Sequence, residues 1–459
     1  MPDIEVVNPA TGETVGRAPN HSIAECLDAV SAVAAAFPSW RLTAPRARGE
    51  ILRRAFEIMI AEQEELARLI VRENGKVLAD ARAEVAYAAE FFRWFSEEAV
   101  RIDGDLRRAP NGSNWLAVTR EPVGPALCIT PWNFPAAMAT RKIGPALAAG
   151  CTLVLKAAGE TPLTAMAVAD ILQRAGLPDD VVRVVTPVPP DEAVRAMLAS
   201  GHIRKLSFTG STRVGSVLLR QAAERIINCS MELGGNAPFI VCGDADVDAA
   251  VDGAMIAKMR NGGAACTAAN RFFVQRSVSG EFTDKFSARM SALVLGDGLA
   301  GGTTLGPLVS AAQQSRVAGL VRLATGAGAE VLCGGGVTPP PMHGHEATVL
   351  VGVGPDNPVL GEEIFGPVAP IVVVDDIEEF LPVINGVDHG LVSYVYTRDL
   401  ARGMRLAGAL ETGMVGLNRG LVSDPAAPFG GVKQSGIGRE GAHEGLLEFC
   451  ETKYVSTEW

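Results

Sequence analysis

The sequence is short of positive charge. Its 41 Lys and Arg face 52 Asp and Glu, a net charge of −11. That deficit argues against nucleic acid or an anionic membrane surface as a partner. The chain also lacks any C-x-x-C pair: its eight cysteines, Cys26, Cys128, Cys151, Cys229, Cys242, Cys266, Cys333 and Cys450, are scattered. Zinc ribbons and thioredoxin-like redox motifs are thereby excluded, and the thiols read as reduced ones in a cytoplasmic protein. The opening MPDIEVVNPATGE has no apolar stretch of the kind a signal peptide needs. Residues 122–140, PVGPALCITPWNFPAAMAT, carry no charge at all and approach the length of a membrane span. Pro122, Pro125, Pro131 and Pro135 would break a helix there, so buried loop and strand are expected instead. His343 and His345 in HGH have no third ligand nearby, so the segment reads as solvated loop and no metal site is expected.

What is present is a chain of 459 residues, 48% hydrophobic and 20% charged, enough for a large core and about three domains. Apolar residues recur at helical spacing over 46–73, with Asn74-Gly75 as a stop, and a second helix is expected over about 79–101. Val85, Phe92, Phe95 and Ala99 form one side of it and read as core. From residue 150 the strand-like CTLVLK, VVRVVT, KLSFTG and IINCSMEL alternate with helical segments. That alternation predicts a parallel, doubly wound sheet that binds ligands at the carboxyl ends of its strands. A helix, DVDAAVDGAMIAKMR, runs up to the loop NGGAACTAANR. The Gly- and Pro-rich 296–366 region reads as loops between short strands, and TPPP at 338–341 as an extended surface turn. LLEFCETKYVST near the end reads as a strand.

The fingerprint G-x-G-x-x-G occurs at Gly296, Gly298 and Gly301 and again at Gly436, Gly438 and Gly441. Neither copy sits between a strand and a long helix, so neither is a dinucleotide site. A better anion cradle is LSFTGST, where a strand ends at Thr209-Gly210 and a helix opens at Ser211. Four further residues have chemical and bland readings side by side. Cys266, among small neighbours, is a nucleophile or an inert thiol. Glu232, at a strand end before two glycines, is a general base or a helix cap. Asn133 donates to an oxyanion or forms an Asx turn. Lys156 meets a ribose or phosphate, or snorkels.

Taken together, these segments resemble the aldehyde dehydrogenase superfamily over essentially the whole chain. TPWNFP, LVLK…ETP, FTGST, MELGG, the cysteine loop, EEIFGPV (362–368) and PFGGVKQSGIGREG (428–441) occur in that family's order and spacing. The resemblance implies an α/β fold. A doubly wound cofactor domain would span 1–103 and 123–233, a catalytic domain 234–434, and small β oligomerisation segments 104–122 and 441–459. It implies oxidation of an aldehyde with NADP or NAD. Cys266 would attack the aldehyde carbon, Asn133 and the Cys266 N–H would hold the oxyanion, and Glu232 would activate water to release the thioester. Lys156 and Glu363 would hold ribose hydroxyls, Gly210 and Ser211 would face the pyrophosphate, and Trp132 and Phe365 would flank the nicotinamide side. Where NAD-preferring relatives carry an acid, this chain has Gly159, which implies use of NADP. TPVPPDE at 186–192 replaces a glycine-rich turn and alters the adenine side.

Within the superfamily, AMATRKIGPALAAGCTLVLK, KMRNGGAAC and GLNRGLVSDPAAPFGG resemble the succinate-semialdehyde dehydrogenase group. That implies a clamp on the substrate's far carboxylate by Arg141, Arg260 and Ser423, chemistry that suits arginine. Each arginine alone reads equally as a structural ion pair. A broader aldehyde dehydrogenase is a second reading, and a non-catalytic structural relative a third. The family's C-terminal strand implies a homodimer or homotetramer. Ala268 stands where some relatives carry a second cysteine, so a cysteine-pair redox lock is not expected.

Overall fold

The computed structural model describes residues 2–458. A six-stranded sheet has the order Gly436–Ile437, Asn228–Glu232, Lys205–Thr209, Ala126–Ile129, Leu153–Lys156, Val182–Val185. Its five long strands run parallel, and only Gly436–Ile437 pairs antiparallel. The strand order reverses between Ala126–Ile129 and Lys205–Thr209, which opens a crevice at their carboxyl ends. A seven-stranded sheet follows, in the order Glu330–Cys333, Thr348–Val351, Val368–Val374, Ala269–Gln275, Ala237–Val241, Val392–Tyr396, Met414–Leu417. Its central strands, such as Ala237–Val241, are buried throughout, as parallel strands covered on both faces must be. Beneath it Phe239 contacts Phe272, Phe282, Tyr394 and Tyr396 with ring centroids 5.1–6.4 Å apart. A small antiparallel sheet joins Cys450–Thr457, Trp115–Pro122 and Asp105–Arg108.

The helices depart from expectation in several places. Residues 46–73 form two helices, Pro45–Ala61 and Gln63–Asn74, because the backbone leaves the helical region at Glu62. The hydrophobic period runs through the break, so periodicity alone does not reveal it. Gly75 does end the second helix, at φ 94°. The charge-free 122–140 run is not all loop and strand. Pro135 opens a fully buried helix, Pro135–Ala149, from its first position, where the missing N–H is not needed. Helix Ala311–Gly326 lies inside the stretch expected to be loops, capped by Ser310. The final strand starts at Cys450, because Ala442–Leu447 is helical. His345 is buried rather than solvated; its Nδ1 lies 2.8 Å from the Glu346 carbonyl. Helix Ile23–Trp40 has the length and hydropathy to cross a membrane. Here Cys26, Val30 and Val33 on one of its faces pack against strands of the first sheet.

Candidate active site

Several of the candidate side chains lie at or close to the end of a regular element. Asn133 ends the loop after strand Ala126–Ile129. Gly210 and Ser211 follow Lys205–Thr209, where Ser211 caps helix Thr212–Ala223 by accepting from Val214 N at 3.4 Å. Glu232 closes Asn228–Glu232. Arg260 and Cys266 flank the turn between helix Val247–Met259 and strand Ala269–Gln275. These ends converge on a cavity of about 270 Å³. It is lined by Trp132, Asn133, Arg141, Gly210, Ser211, Glu232, Arg260, Cys266, Glu363, Phe365 and Ser423. Lys156 and Gly159 line a separate cavity beside Glu160, Pro187, Val188 and Pro190. The TPVPPDE segment therefore forms a wall next to Lys156. Asn20 clips that wall through two bonds to Val188, at 2.9 and 3.1 Å.

The cysteine loop is bent by Asn261 at φ 54° and Gly262 at φ 59°. A Cβ on Gly263 would lie 2.3 Å from the Gly366 carbonyl, and one on Gly235 would lie 2.4 Å from the Cys266 carbonyl. Only glycine fits either close approach. Tyr394, buried on strand Val392–Tyr396, donates to the Thr267 carbonyl at 2.8 Å and supports the loop. Asn133 Nδ2 donates to the Ala264 carbonyl at 3.0 Å, which ties the asparagine to the cysteine loop.

Burial dominates the electrostatics. It pushes the Cys266 thiol up to about 12, with Arg141 and Arg260 pulling down and Glu363 and Glu232 pushing up. It also raises Glu232 well above the usual carboxylate range, reinforced by Glu440 and opposed by Arg141, Lys142 and Arg439. Oε2 of Glu232 is buried without a hydrogen-bond partner among the described residues. Glu363 is raised to about 7 by burial and accepts from Gly235 N at 3.2 Å. Its backbone is anchored by Arg316, which donates to the carbonyls of Glu363 at 2.6 Å and Ile364 at 2.9 Å. Gln313 donates to the Phe365 carbonyl at 2.8 Å, and Phe365 meets Trp132 edge to face at 5.4 Å.

The two arginines differ. Arg141 is 2% exposed, lies 3.5 Å from the Glu440 carboxylate and bonds to the Tyr87 hydroxyl. Its guanidinium sits 4.2 Å over the Phe429 ring. Arg260 is stacked by Phe134 at 4.8 Å and Tyr87 at 5.5 Å, and forms no ion pair among the described residues. Tyr87, Phe134, Phe429, Gln313 and Arg316 all line the cavity and were not singled out from the sequence. Tyr87 lies on the helix expected over about 79–101, but outside the Val85, Phe92, Phe95 and Ala99 face that reads as core.

Residues fit to hold a dinucleotide are present. Thr209 Oγ1 is buried at the crevice with no hydrogen-bond partner among the described residues. A Cβ on Gly234 would come within 2.7 Å of Glu363 Oε2, so glycine keeps that carboxylate's place open. Among the described residues no group of three or more His, Cys, Asp or Glu is arranged to hold a metal ion.

Comparison with known proteins gives the same direction. The family model described as aldehyde dehydrogenase family matches residues 2–455. A succinate-semialdehyde dehydrogenase of Paenarthrobacter nicotinovorans is 50% identical over 94% of this chain and 96% of its own length. A glutarate-semialdehyde dehydrogenase of Pseudomonas putida is 47% identical over 98% of this chain and 94% of its own. The crystal structure of an Escherichia coli NADP-dependent enzyme superimposes with a TM-score of 0.98 at 44% identity, covering 100% of this chain and 95% of that one. With a family match across nearly its whole length and a cavity that gathers the thiol, the carboxylates and the amide, the chain belongs to the aldehyde dehydrogenase family.

Proposed function

We propose that this chain oxidises an aldehyde bearing a remote carboxylate to the corresponding acid, with succinate semialdehyde as the best-fitting substrate and NADP or NAD as hydride acceptor. The observation that carries the reading is Arg260: in the cavity of Cys266 its guanidinium lies over two rings and has no carboxylate partner among the described residues. Arginine in that setting binds a carboxylate in two-point fashion. Arg141 and Ser423 line the same cavity and would complete the clamp. Arg141 is already engaged by Tyr87 and Glu440, so Arg260 carries more of the substrate's charge.

Cys266 Sγ, once deprotonated, adds to the aldehyde carbon. The Asn133 amide and the Cys266 N–H would hold the resulting oxyanion. Lys156, Gly210, Ser211, Glu363, Phe365 and Trp132 would hold the dinucleotide, which when bound accepts the hydride and so leaves a thioester on Cys266. Glu232 takes a proton from water as the water attacks that thioester, and the thiolate leaves. Its raised pKa suits a base that works near neutral pH. Gln in place of Glu232 keeps the shape and loses the base. Glu232→Gln should give a first-turnover burst of reduced cofactor, then turnover about 100-fold slower or worse. Intact-mass analysis should show the acyl group on Cys266. Wild-type turnover with no adduct would remove Glu232 from the mechanism.

Gly159 leaves no carboxylate of its own facing the cofactor's 2′-hydroxyl. We therefore expect kcat/KM with NADP to exceed that with NAD; a tenfold advantage of NAD in initial rates contradicts it. The two large sheets serve as cofactor and catalytic domains. The small sheet serves as the joint of a homodimer or homotetramer. That sheet exposes Leu106, Tyr454 and Val455. The eight free cysteines suit the cytoplasm.

A further inference from the structure

We propose that Lys76, Asp80 and Glu84 are positioning residues that hold the two halves of the oxyanion site in register. The proposal rests on the roles given above to Asn133 and Cys266. All three side chains come from one segment at the start of helix Leu78–Glu98. Lys76 and Glu84 pair at 2.5 Å with side chains 1% and 0% exposed. Lys76 Nζ also donates to the main-chain carbonyl of Asn133 at 2.7 Å. Glu84 Oε1 accepts from Ala136 N at 2.9 Å and Ala137 N at 3.4 Å. Those groups open helix Pro135–Ala149, which has no side-chain cap of its own. The pair thus grips the chain at the carbonyl of Asn133 and again three and four residues on, where the helix begins.

Asp80 holds the other half. Its Oδ2 accepts from Asn261 N at 2.9 Å, at the residue with left-handed backbone that bends the cysteine loop. Asn261 in turn donates to the carbonyls of Asn133 at 2.8 Å and Ala264 at 3.0 Å. One helical segment is therefore bonded to both loops, and Asn261 links the two.

A buried ion pair adds little net stability over an apolar pair of the same shape. Here both charges are instead spent on backbone groups at fixed points. Oxyanion donors need that precision, since a misplacement of about 1 Å can cost about 100-fold in rate.

The test is a double-mutant cycle read by the first-turnover rate of cofactor reduction. Lys76→Met/Glu84→Gln removes both members of the ion pair together. It should slow the first turnover about 10- to 100-fold, with the cofactor KM unchanged. Asn133→Ala alone should cost about 100-fold, and the triple variant should be no more than about threefold slower than Asn133→Ala by itself. Additive losses, or an unaffected double variant, overturn the proposal. A wild-type rate for Asn133→Ala would instead overturn the oxyanion role of Asn133, and the proposal would fall with it. If the double variant does not fold, the Asp80 pair decides. Asp80→Asn keeps an acceptor oxygen and should stay within about threefold of wild type, while Asp80→Ala should fall about tenfold. Equal rates for the two overturn it.

Discussion

Cys266 sits where its surroundings oppose ionisation, and the opposing pull comes from Arg141 and, less strongly, Arg260. The arginines assigned to the substrate therefore also favour the thiolate. Lys258, two residues before Arg260, shows the opposite economy. It is wholly buried, its ammonium has no hydrogen-bond partner among the described residues, and burial pushes it down to about 7. Below about 7 the folded state carries the full penalty of that burial. The penalty fades as pH rises toward the unfolded value of 10.5. Lys258→Met should therefore melt higher than the parent at pH 7, and the gap should narrow by pH 10. A lower melting temperature at both values contradicts this. At this scale the candidate side chains Cys266, Glu232 and Asn133 stand out in the sequence because they lie in long distinctive strings next to strands, and the structure brings them to one cavity. Tyr87, Phe134 and Phe429 do not stand out, since a ring that stacks an arginine has the same spacing as a ring that fills a core. The bonds of Lys76 and Asp80 join residues 57 and 181 positions apart, which no local pattern reveals.

Among the elements, helix Ala311–Gly326 has the clearest functional consequence. It carries Gln313 and Arg316, which hold the backbone of Glu363, Ile364 and Phe365. Arg316→Ala should raise the cofactor KM about tenfold, the loss of two charge-assisted bonds to a loop, while the melting temperature changes little. An unchanged KM contradicts the anchoring role. The helix was hidden by composition: Gly296–Gly306 and Gly334–Gly336 flank it and made the whole stretch resemble loop. Helix Pro135–Ala149 was hidden differently. Its prolines count against a helix interior, and Pro135 is tolerated only because it falls at the first position. The alternating strands and helices of residues 150–232 were legible because each strand is short, apolar and closed by a turn.

For the whole molecule, the deficit of positive charge becomes a matter of placement. An acidic protein that binds an anionic cofactor and an anionic substrate needs its cations at the site. Arg141 and Arg260 line the catalytic cavity, and Lys156 the neighbouring one. The doubly wound topology supplies the rest by converging strand ends and loops from two sheets on one crevice. The most direct test of the proposed function compares kcat/KM for succinate semialdehyde with that for butanal, which has the same carbon count and no carboxylate. The expected preference for the carboxylated aldehyde is about 100-fold, shrinking to within about tenfold in Arg260→Ala. Equal kcat/KM for the two aldehydes in the wild-type enzyme would contradict it.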